Sequence, residues 1–173
     1  MNQKACVFLD RDGVLNEEIG RHVVKPEEFK IKEGVPEGLK RLKSAGLLLV
    51  VITNQSGIAR GYYDEAFVWH CYEQIQQACD GVLDGQYFAP GLDKFSRSLM
   101  RKPDSLMFEK AIARFGVDAA NSWLIGDKER DLIPARKLGI RTIHLTNDEM
   151  SGFADLKFDR FELAVDRILE GLD

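Results

Sequence analysis

Residues 47–52 form an uninterrupted apolar run, LLLVVI, which limits the possible folds of this chain more than any other stretch. A strand that is apolar at every position has no face to offer to solvent. Such a strand is expected inside a parallel sheet that carries helices on both faces. Gly46 closes the helical segment before the run, and the small polar residues Thr53 and Asn54 follow it. The run therefore predicts a central strand of an α/β fold.

Strand-like and helix-like segments alternate on both sides of this run. The other predicted strands are 7–9, 85–90, 122–125 and 140–145, and the predicted helices are 34–46, 64–79, 102–115, 132–138 and 161–172. This alternation, with right-handed crossovers, is typical of a doubly wound, Rossmann-like parallel sheet. The 173 residues suffice for a single domain, 1–173, and contain no repeat, low-complexity segment or linker.

Charge and cysteine content argue against several classes of function. The 28 acidic and 24 basic residues are interleaved, which disfavours sequence-independent binding to nucleic acid or to an anionic membrane. No apolar stretch reaches membrane-spanning length, and the first residues lack the apolar segment of a signal peptide. The scattered Cys6, Cys71 and Cys79 are predicted to be reduced core residues, so we expect a cytoplasmic protein. No oligomeric state is predicted.

Acidic and polar residues stand where the predicted strands end or the next helices begin. These residues are Asp10, Asp12, Thr53, Asn54, Lys102 and Asp127. The carboxyl ends of parallel strands open onto the ligand crevice of such a sheet, so these side chains are expected to converge.

The residue types in this group suit phosphoryl transfer from a phosphomonoester through a covalent aspartyl-phosphate. A carboxylate such as Asp10 can be the nucleophile, and Asp12 can protonate the leaving oxygen and later activate a water. Mg²⁺ prefers oxygen ligands and keeps several waters, so Asp10, Asp127 and a backbone carbonyl near Asp12 would suffice to bind it. Without the metal, the clustered carboxylates would repel one another and the phosphate.

Each of these residues also has an ordinary structural explanation. Thr53 and Asn54 could form a side-chain-bonded turn, and a single Lys102 is more often a solvated surface charge. Asp127 and Asp131 could be acids favoured by the dipole at the start of a helix. Their joint placement at strand ends favours the catalytic interpretation.

Four ordered motifs resemble those of the haloacid dehalogenase superfamily. They are FLDRDGVLN at 8–16, TNQSGIARGYY at 53–63, RKP at 101–103 and GDKERDL at 126–132. More narrowly, they resemble its branch of histidinol phosphatases and D-glycero-D-manno-heptose 1,7-bisphosphate phosphatases. The ordered set spans most of the chain and is far more specific than any single motif.

The resemblance implies a catalytic role for three of these residues. Asp10 would be the nucleophile, Asp12 the acid and base, and Lys102 the lysine that neutralises charge. Asp10, Asp12 and Asp127 would form the Mg²⁺ site, with Asp131 as a supporting residue of the fourth motif.

The resemblance also implies substrate contacts. Thr53 and Asn54 would contact the phosphate or the rest of the substrate, and Lys128 would support the fourth motif. We further hypothesise that Arg60, Arg101 and Lys128 bind a second anionic group, with Arg97 as a further candidate, because a bisphosphate needs donors away from the metal.

Two features of the connecting segments narrow the resemblance. Members of the superfamily often carry a cap domain after the first or second motif, but the intervals 16–47 and 57–100 leave no room for one, so an open site shaped by loops is expected. Relatives in this branch typically carry a Cys/His zinc loop before Arg-Lys-Pro. The segment 91–100 contains neither Cys nor His, so no structural zinc is expected.

The preferred hypothesis is a Mg²⁺-dependent, capless phosphatase of carbohydrate metabolism that acts on a sugar bisphosphate such as D-glycero-D-manno-heptose 1,7-bisphosphate. Histidinol phosphate or another small phosphorylated molecule is the alternative substrate. A 3′-phosphatase of nucleic acid would call for a basic or aromatic-rich surface, which is not evident in this sequence. A phosphoacceptor signalling domain, from a different class, also gathers acids, a Thr and a Lys at strand ends. In that family, however, the phosphorylated Asp normally lies at a later strand than the paired acids.

Overall fold

A six-stranded parallel sheet organises the computed structural model of the protein, which describes residues 3–172. Residues 1–2 and 173, the ends of the predicted domain, lie outside the described residues. The strands are β1 (Cys6–Leu9), β2 (Leu48–Asn54), β3 (Gly85–Ala89), β4 (Trp123–Gly126), β5 (Arg141–Leu145) and β6 (Leu156–Phe158). Their order is β3-β2-β1-β4-β5-β6, and each neighbouring pair is parallel. The chain reverses its direction of travel across the sheet beside β1, which is where ligand crevices form in folds of this type.

Helices cover both faces of the sheet, as the apolar run predicts. They are α1 (Val35–Ser44), α2 (Glu65–Ala78), α3 (Leu106–Phe115), α4 (Glu129–Lys137) and α5 (Phe161–Glu170). Helices α1, α2 and α5 share one apolar cluster with one face of the sheet, and α3 and α4 share another with the opposite face. The doubly wound α/β fold is thereby confirmed.

Strand β2 shows how the run at 47–52 determines this arrangement. Leu49 and Val51 are buried in the cluster on the α1 side, while Val50 and Ile52 are buried in the cluster on the α3 side. Successive side chains of a strand point to opposite faces, so a run without polar residues needs helices on both sides.

Two helices begin three or four residues away from their predicted starts. Helix α4 starts at Glu129, before the predicted 132, because the Asp131 carboxylate accepts the backbone N–H of Lys128 (3.1 Å) and stabilises an earlier first turn. Helix α3 starts at Leu106, after the predicted 102. The backbone of Lys102 is bonded to a side chain of the β2 end and is not available for the helix.

Strand β6 is an element that the sequence pattern does not predict. It has three residues and extends the sheet beside β5. A three-residue strand is too short to show a period of two, so its pairing depends on tertiary contacts. The Asp155 carboxylate supplies one of these, since it accepts the backbone N–H (2.7 Å) and the hydroxyl (2.9 Å) of Thr142 in β5.

Between residues 3 and 172, none of the helices combines the length and the apolar composition needed to cross a membrane.

Helix α5 offers a test of the packing on the α1 face. Ile168 is fully buried there, whereas Glu170 in the same helix is exposed. We expect Ile168→Ala to lower the free energy of unfolding by about 2–5 kcal/mol, because it removes buried methyl groups and leaves a cavity. Urea denaturation should show this loss, and Glu170→Ala should change the value by no more than about 0.5 kcal/mol. Equal effects of the two substitutions would contradict this packing.

Candidate active site

A buried lysine joins three elements at the carboxyl edge of the sheet. The Lys102 ammonium donates to the Asp10 carboxylate after β1 (2.8 Å) and to the Ile52 carbonyl in β2 (2.7 Å). It also lies 2.7 Å from an oxygen of Asp131 in α4. The first two contacts are hydrogen bonds, and the contact with Asp131 is an ion pair. The side chains of Lys102, Asp10 and Asp131 are 1 %, 5 % and 0 % exposed, so this is a buried ionic group.

Three carboxylates meet beside this lysine. Asp10, Asp127 and Asp131 each place one carboxylate oxygen within 4.8 Å of the others. Within residues 3–172 this is the single cluster of three or more His, Cys, Asp or Glu side chains close enough to share a metal ion. The buried Oδ1 of Asp127 has no hydrogen-bond partner. Oxygen ligands with unmet acceptor capacity fit Mg²⁺, which binds through one or two carboxylates and waters.

Burial and crowded negative charge together shift the pKa values of these groups. Burial raises the pKa of Asp10 to about 7; repulsion from Asp131 and Asp127 adds to this, and Lys102 opposes it. Burial and repulsion from Asp131 also raise the pKa of Asp127, against the attraction of Lys128. Burial alone would lower the pKa of Lys102, but Asp10 and Asp131 outweigh it and the pKa is raised. One ammonium therefore balances only part of the negative charge, and a bound cation would balance the rest.

The Asp12 carboxylate lies outside this acid cluster. Its Oδ1 accepts from Arg11 Nη2 (2.9 Å) and Asn16 Nδ2 (3.1 Å), and its Oδ2 accepts from Gln55 Nε2 (2.8 Å). Burial would raise the pKa of Asp12, but the Arg11 guanidinium and these hydrogen bonds together hold it below its usual value. The side chain is 36 % exposed and lines a cavity. Any metal contact from Asp12 would thus come from its backbone carbonyl.

Arg11 and Gln55 hold the predicted residues in place, although neither was assigned a role from the sequence. Arg11 is 1 % exposed and forms a bidentate pair with Asp12. The Gln55 amide bridges Asp12 and Thr53 Oγ1 (2.9 Å), while its oxygen accepts from the Tyr63 hydroxyl (2.7 Å). Both residues stand beside predicted site residues within the motifs. That adjacency is the sequence signal that could have identified them.

Thr53 and Asn54 lie at the end of β2, as predicted. Thr53 is 1 % exposed, and its hydroxyl accepts from Gln55 and retains its own proton for donation. The Asn54 amide donates to the Lys102 carbonyl and accepts from the Lys102 N–H, both at 3.0 Å. Asn54 therefore positions the segment that carries Lys102, and it also lines the cavity beside Asp12.

Gly13 allows the first and fourth motifs to come together. Its backbone has φ +87°, a conformation that favours glycine, and a Cβ at this position would overlap the Asp127 carboxylate. The Lys32 ammonium donates to the Gly13 carbonyl and holds the turn from the other side. The glycine after Asp12 is thus required by the close approach of Asp127.

An arginine-rich cavity of about 400 Å³ opens beside Asp12. Arg60 and Arg101, both predicted as substrate contacts, line it together with Arg130, which was not predicted. Lys128 does not line this cavity: its ammonium lies 2.9 Å from Asp127 and 3.1 Å from Glu18. The structure therefore groups Arg60 and Arg101 with Arg130, whereas Lys128 and Arg97 do not line the cavity.

Comparison with known proteins places this geometry in context. Residues 99–170 match the family model described as HAD-hydrolase-like. A D-glycero-β-D-manno-heptose-1,7-bisphosphate 7-phosphatase from Haemophilus ducreyi is 41 % identical over 80 % of this chain and 81 % of its own length. The protein of the same description from Haemophilus influenzae is 37 % identical over 96 % of this chain and 97 % of its own length. The fold also matches the crystal structure of a D,D-heptose 1,7-bisphosphate phosphatase from B. bronchiseptica complexed with magnesium and phosphate. That match has a TM-score of 0.86 and 25 % identity, and it covers 96 % of this chain and 99 % of that one.

Replacement of the buried lysine should destabilise the fold strongly. Lys102→Met removes the cation that faces Asp10 and Asp131, and breaking a buried pair from one side costs about 3–5 kcal/mol at neutral pH. The folded-state pKa of Asp10 is already raised to about 7, so its ionisation opposes folding as the pH rises above the unfolded value of about 4. Without Lys102 this penalty grows. Urea denaturation in EDTA should therefore show a larger loss at pH 8 than at pH 5.

Lys128→Met is the matched control. This lysine also pairs with carboxylates, but its side chain is 45 % exposed, so the loss should be about 0–1 kcal/mol. A Lys102→Met protein as stable as the control at pH 8 would contradict the buried ionic group.

Proposed function

The chain belongs to the haloacid dehalogenase-like hydrolases and is a phosphatase, and from this premise we propose that it removes one phosphate from a sugar bisphosphate, with D-glycero-D-manno-heptose 1,7-bisphosphate as the leading substrate. The observation that carries the proposal is the acid cluster of Asp10, Asp127 and Asp131 around the Lys102 ammonium. Two of the relatives described above are named as phosphatases of this sugar.

The acid cluster fits a resident Mg²⁺ ion. Asp10 and Asp127 would hold it through carboxylate oxygens, with a backbone carbonyl near Asp12 as a further ligand and Asp131 at the back of the site. When bound, Mg²⁺ supplies positive charge that offsets the carboxylates and the phosphoryl oxygens. The unpartnered Oδ1 of Asp127 supports this assignment. The pKa of Asp10 supports it as well, because burial and repulsion from Asp131 and Asp127 raise this pKa despite the nearby Lys102 ammonium.

Asp10 is the proposed nucleophile. One of its carboxylate oxygens forms a bond to phosphorus while the bond from phosphorus to the sugar oxygen breaks, which leaves an aspartyl-phosphate. Lys102 holds Oδ1 of this carboxylate at 2.8 Å and so fixes the orientation of the group. Asp10 is only 3 % exposed, so bulk water is kept away from its carboxylate.

Asp12 is the proposed acid and base. It gives a proton to the departing sugar oxygen in the first step. In the second step it takes a proton from the water whose oxygen attacks phosphorus, and the bond from phosphorus to Asp10 breaks to release inorganic phosphate. Arg11 and Gln55 hold Asp12 ionised in the free protein, which suits the second step. The arriving negative charge of the phosphate opposes their effect and favours the protonated form for the first step.

Arg60, Arg101 and Arg130 are the proposed contacts for the phosphate that is not removed. They line the cavity that also exposes Asp12, so a substrate with one phosphate at Asp10 can extend into it. One guanidinium group can donate to two oxygens of a phosphate at once, and three such groups suit the double negative charge of a phosphate monoester. Lys128 does not line the cavity, and we assign it to the acidic pair of Asp127 and Glu18.

The remaining sequence expectations belong to the same proposal. A single capless domain fits the cavity, which is walled by the segments around residues 17–23, 54–63 and 92–101. A cytoplasmic location fits the three cysteines, which are free and buried. We also retain the expectation that the 91–100 segment binds no structural zinc.

Removal of the nucleophile tests the chemistry directly. Asp10→Asn should lower Mg²⁺-dependent phosphate release from the bisphosphate by at least about 10³-fold, since the amide cannot form the covalent intermediate. Circular dichroism should show that the fold is retained. Asp148→Asn, at an exposed acid outside the cluster, serves as the control and should leave the rate unchanged. Wild-type rates in Asp10→Asn would reject this assignment.

The arginine cavity gives a separate test of the substrate. Wild type should have a higher kcat/KM for the 1,7-bisphosphate than for the heptose 7-phosphate, which lacks the second anion. Arg101→Met and Arg130→Met should each reduce this preference about 10-fold, because each removes a charge-assisted hydrogen bond. Arg97→Met is the matched control, since Arg97 is exposed and does not line the cavity. Equal efficiency of wild type on both sugars would reject the second anion site but not the phosphatase chemistry.

A further inference from the structure

A buried histidine contacts the backbone of the fourth-motif acid. His144 lies in β5 opposite Gly126 of β4, one residue before Asp127, and is 8 % exposed. Its Nε2 is 3.1 Å from the carbonyl oxygen of Asp127. The mechanism above does not use this histidine, and it lies outside the four motifs.

The hydrogen bonds of His144 determine which ring nitrogen carries the proton. The backbone N–H of Ser151 donates to Nδ1 (3.2 Å), and a backbone amide can only donate. Nδ1 is therefore the acceptor, and the proton of the ring lies on Nε2. Since the Asp127 carbonyl can only accept, Nε2–H donates to it. Both contacts of the ring are satisfied in this single arrangement.

A second contact ties the same two segments together. The Ser151 hydroxyl donates to the Glu129 carboxylate at the start of α4 (2.9 Å), and the Phe153 N–H donates to the Ser151 oxygen (3.2 Å). The segment after β5 is thus fastened to the fourth motif at Asp127 and at Glu129. Asp127, whose carboxylate Oδ1 has no hydrogen-bond partner, is one of these two contact points.

We propose that His144 is a positioning residue for Mg²⁺ binding, because its Nε2–H holds the Asp127 backbone so that the Asp127 carboxylate points into the acid cluster. This inference rests on the proposed function, since it takes Asp127 as a metal ligand. Residues that orient metal ligands from behind typically contribute 10–100-fold to metal affinity or activity. His144 acts on a backbone carbonyl, so its effect reaches the carboxylate through the placement of the main chain.

Two substitutions separate positioning from packing. His144→Leu fills the site without a donor, whereas His144→Gln places an amide N–H near the position of Nε2. Mg²⁺ binding to the substrate-free protein, measured by isothermal titration calorimetry, should be weakened about 10-fold in His144→Leu and largely restored in His144→Gln. The Mg²⁺ concentration for half-maximal activity should rise by the same factor, with kcat at saturating Mg²⁺ within about twofold of wild type.

Ile143→Val is the matched control. Ile143 is the buried neighbour of His144 in β5 and belongs to the apolar cluster on the α1 face. Its truncation should lower the urea midpoint without changing Mg²⁺ affinity. Wild-type Mg²⁺ affinity in a folded His144→Leu protein would overturn the positioning role, as would affinity in His144→Gln no better than in His144→Leu.

Measurements on unmutated His144 keep the proposal testable should the leucine variant fail to fold. Nitrogen-15 NMR of the wild-type ring should show the proton on Nε2, and Mg²⁺ should shift that resonance. A proton on Nδ1 would overturn the proposal. Failure of the proposed function would give a different result, because Asp127→Asn would then bind Mg²⁺ as wild type does, or neither protein would bind it. Either result would remove the metal site at Asp127 and the positioning role with it.

Discussion

The buried Lys102 ammonium is the interaction on which the rest of the site depends. It is the shared partner of Asp10, Asp131 and the Ile52 carbonyl, and so joins the ends of β1 and β2 to α4. Two carboxylates at this depth would otherwise neutralise or push apart. The ammonium keeps them together and yet leaves a negative surplus with Asp127. Because the negative charge of the three carboxylates exceeds the positive charge of the one ammonium, the site is suited to a metal ion. The bound metal ion would in turn attract a phosphate.

Around this ionic group, hydrogen bonds hold the side chains at the strand ends in fixed positions. Asn54 holds the backbone of Lys102 on both sides, and Gln55 links Asp12 to Thr53. Gly13 lets Asp127 approach because no Cβ stands between them. Each contact joins segments distant in the chain that the parallel sheet brings to one edge. The two acids after β1 therefore have different surroundings: Asp10 faces the lysine, and Asp12 faces an arginine and an open cavity.

The proposed function assigns the chemistry and the choice of substrate to different parts of the molecule. The acid cluster and Lys102 lie on the strand ends and on α4, where packing fixes them, and their arrangement is compatible with many phosphate esters. The arginine cavity is built from connecting segments, which vary most easily without disturbing the sheet. Arg130 joins Arg60 and Arg101 there from the first turn of α4, which begins earlier than its apolar pattern suggests. This one turn adds a guanidinium group to the cavity lining.

The sequence by itself determined the doubly wound sheet and the convergence of Asp10, Thr53, Lys102 and Asp127, since an apolar run such as 47–52 can only be buried between helices and parallel strands end at one edge. Only the tertiary structure decided which acids share the cluster. It placed Asp131 beside Lys102 and Asp12 beside Arg11, and it separated Lys128 from the arginine cavity. It also formed β6 and set His144 against Asp127. Periodicity along a chain reports burial, whereas the partner of a charged or polar side chain depends on the three-dimensional approach of segments far apart in sequence.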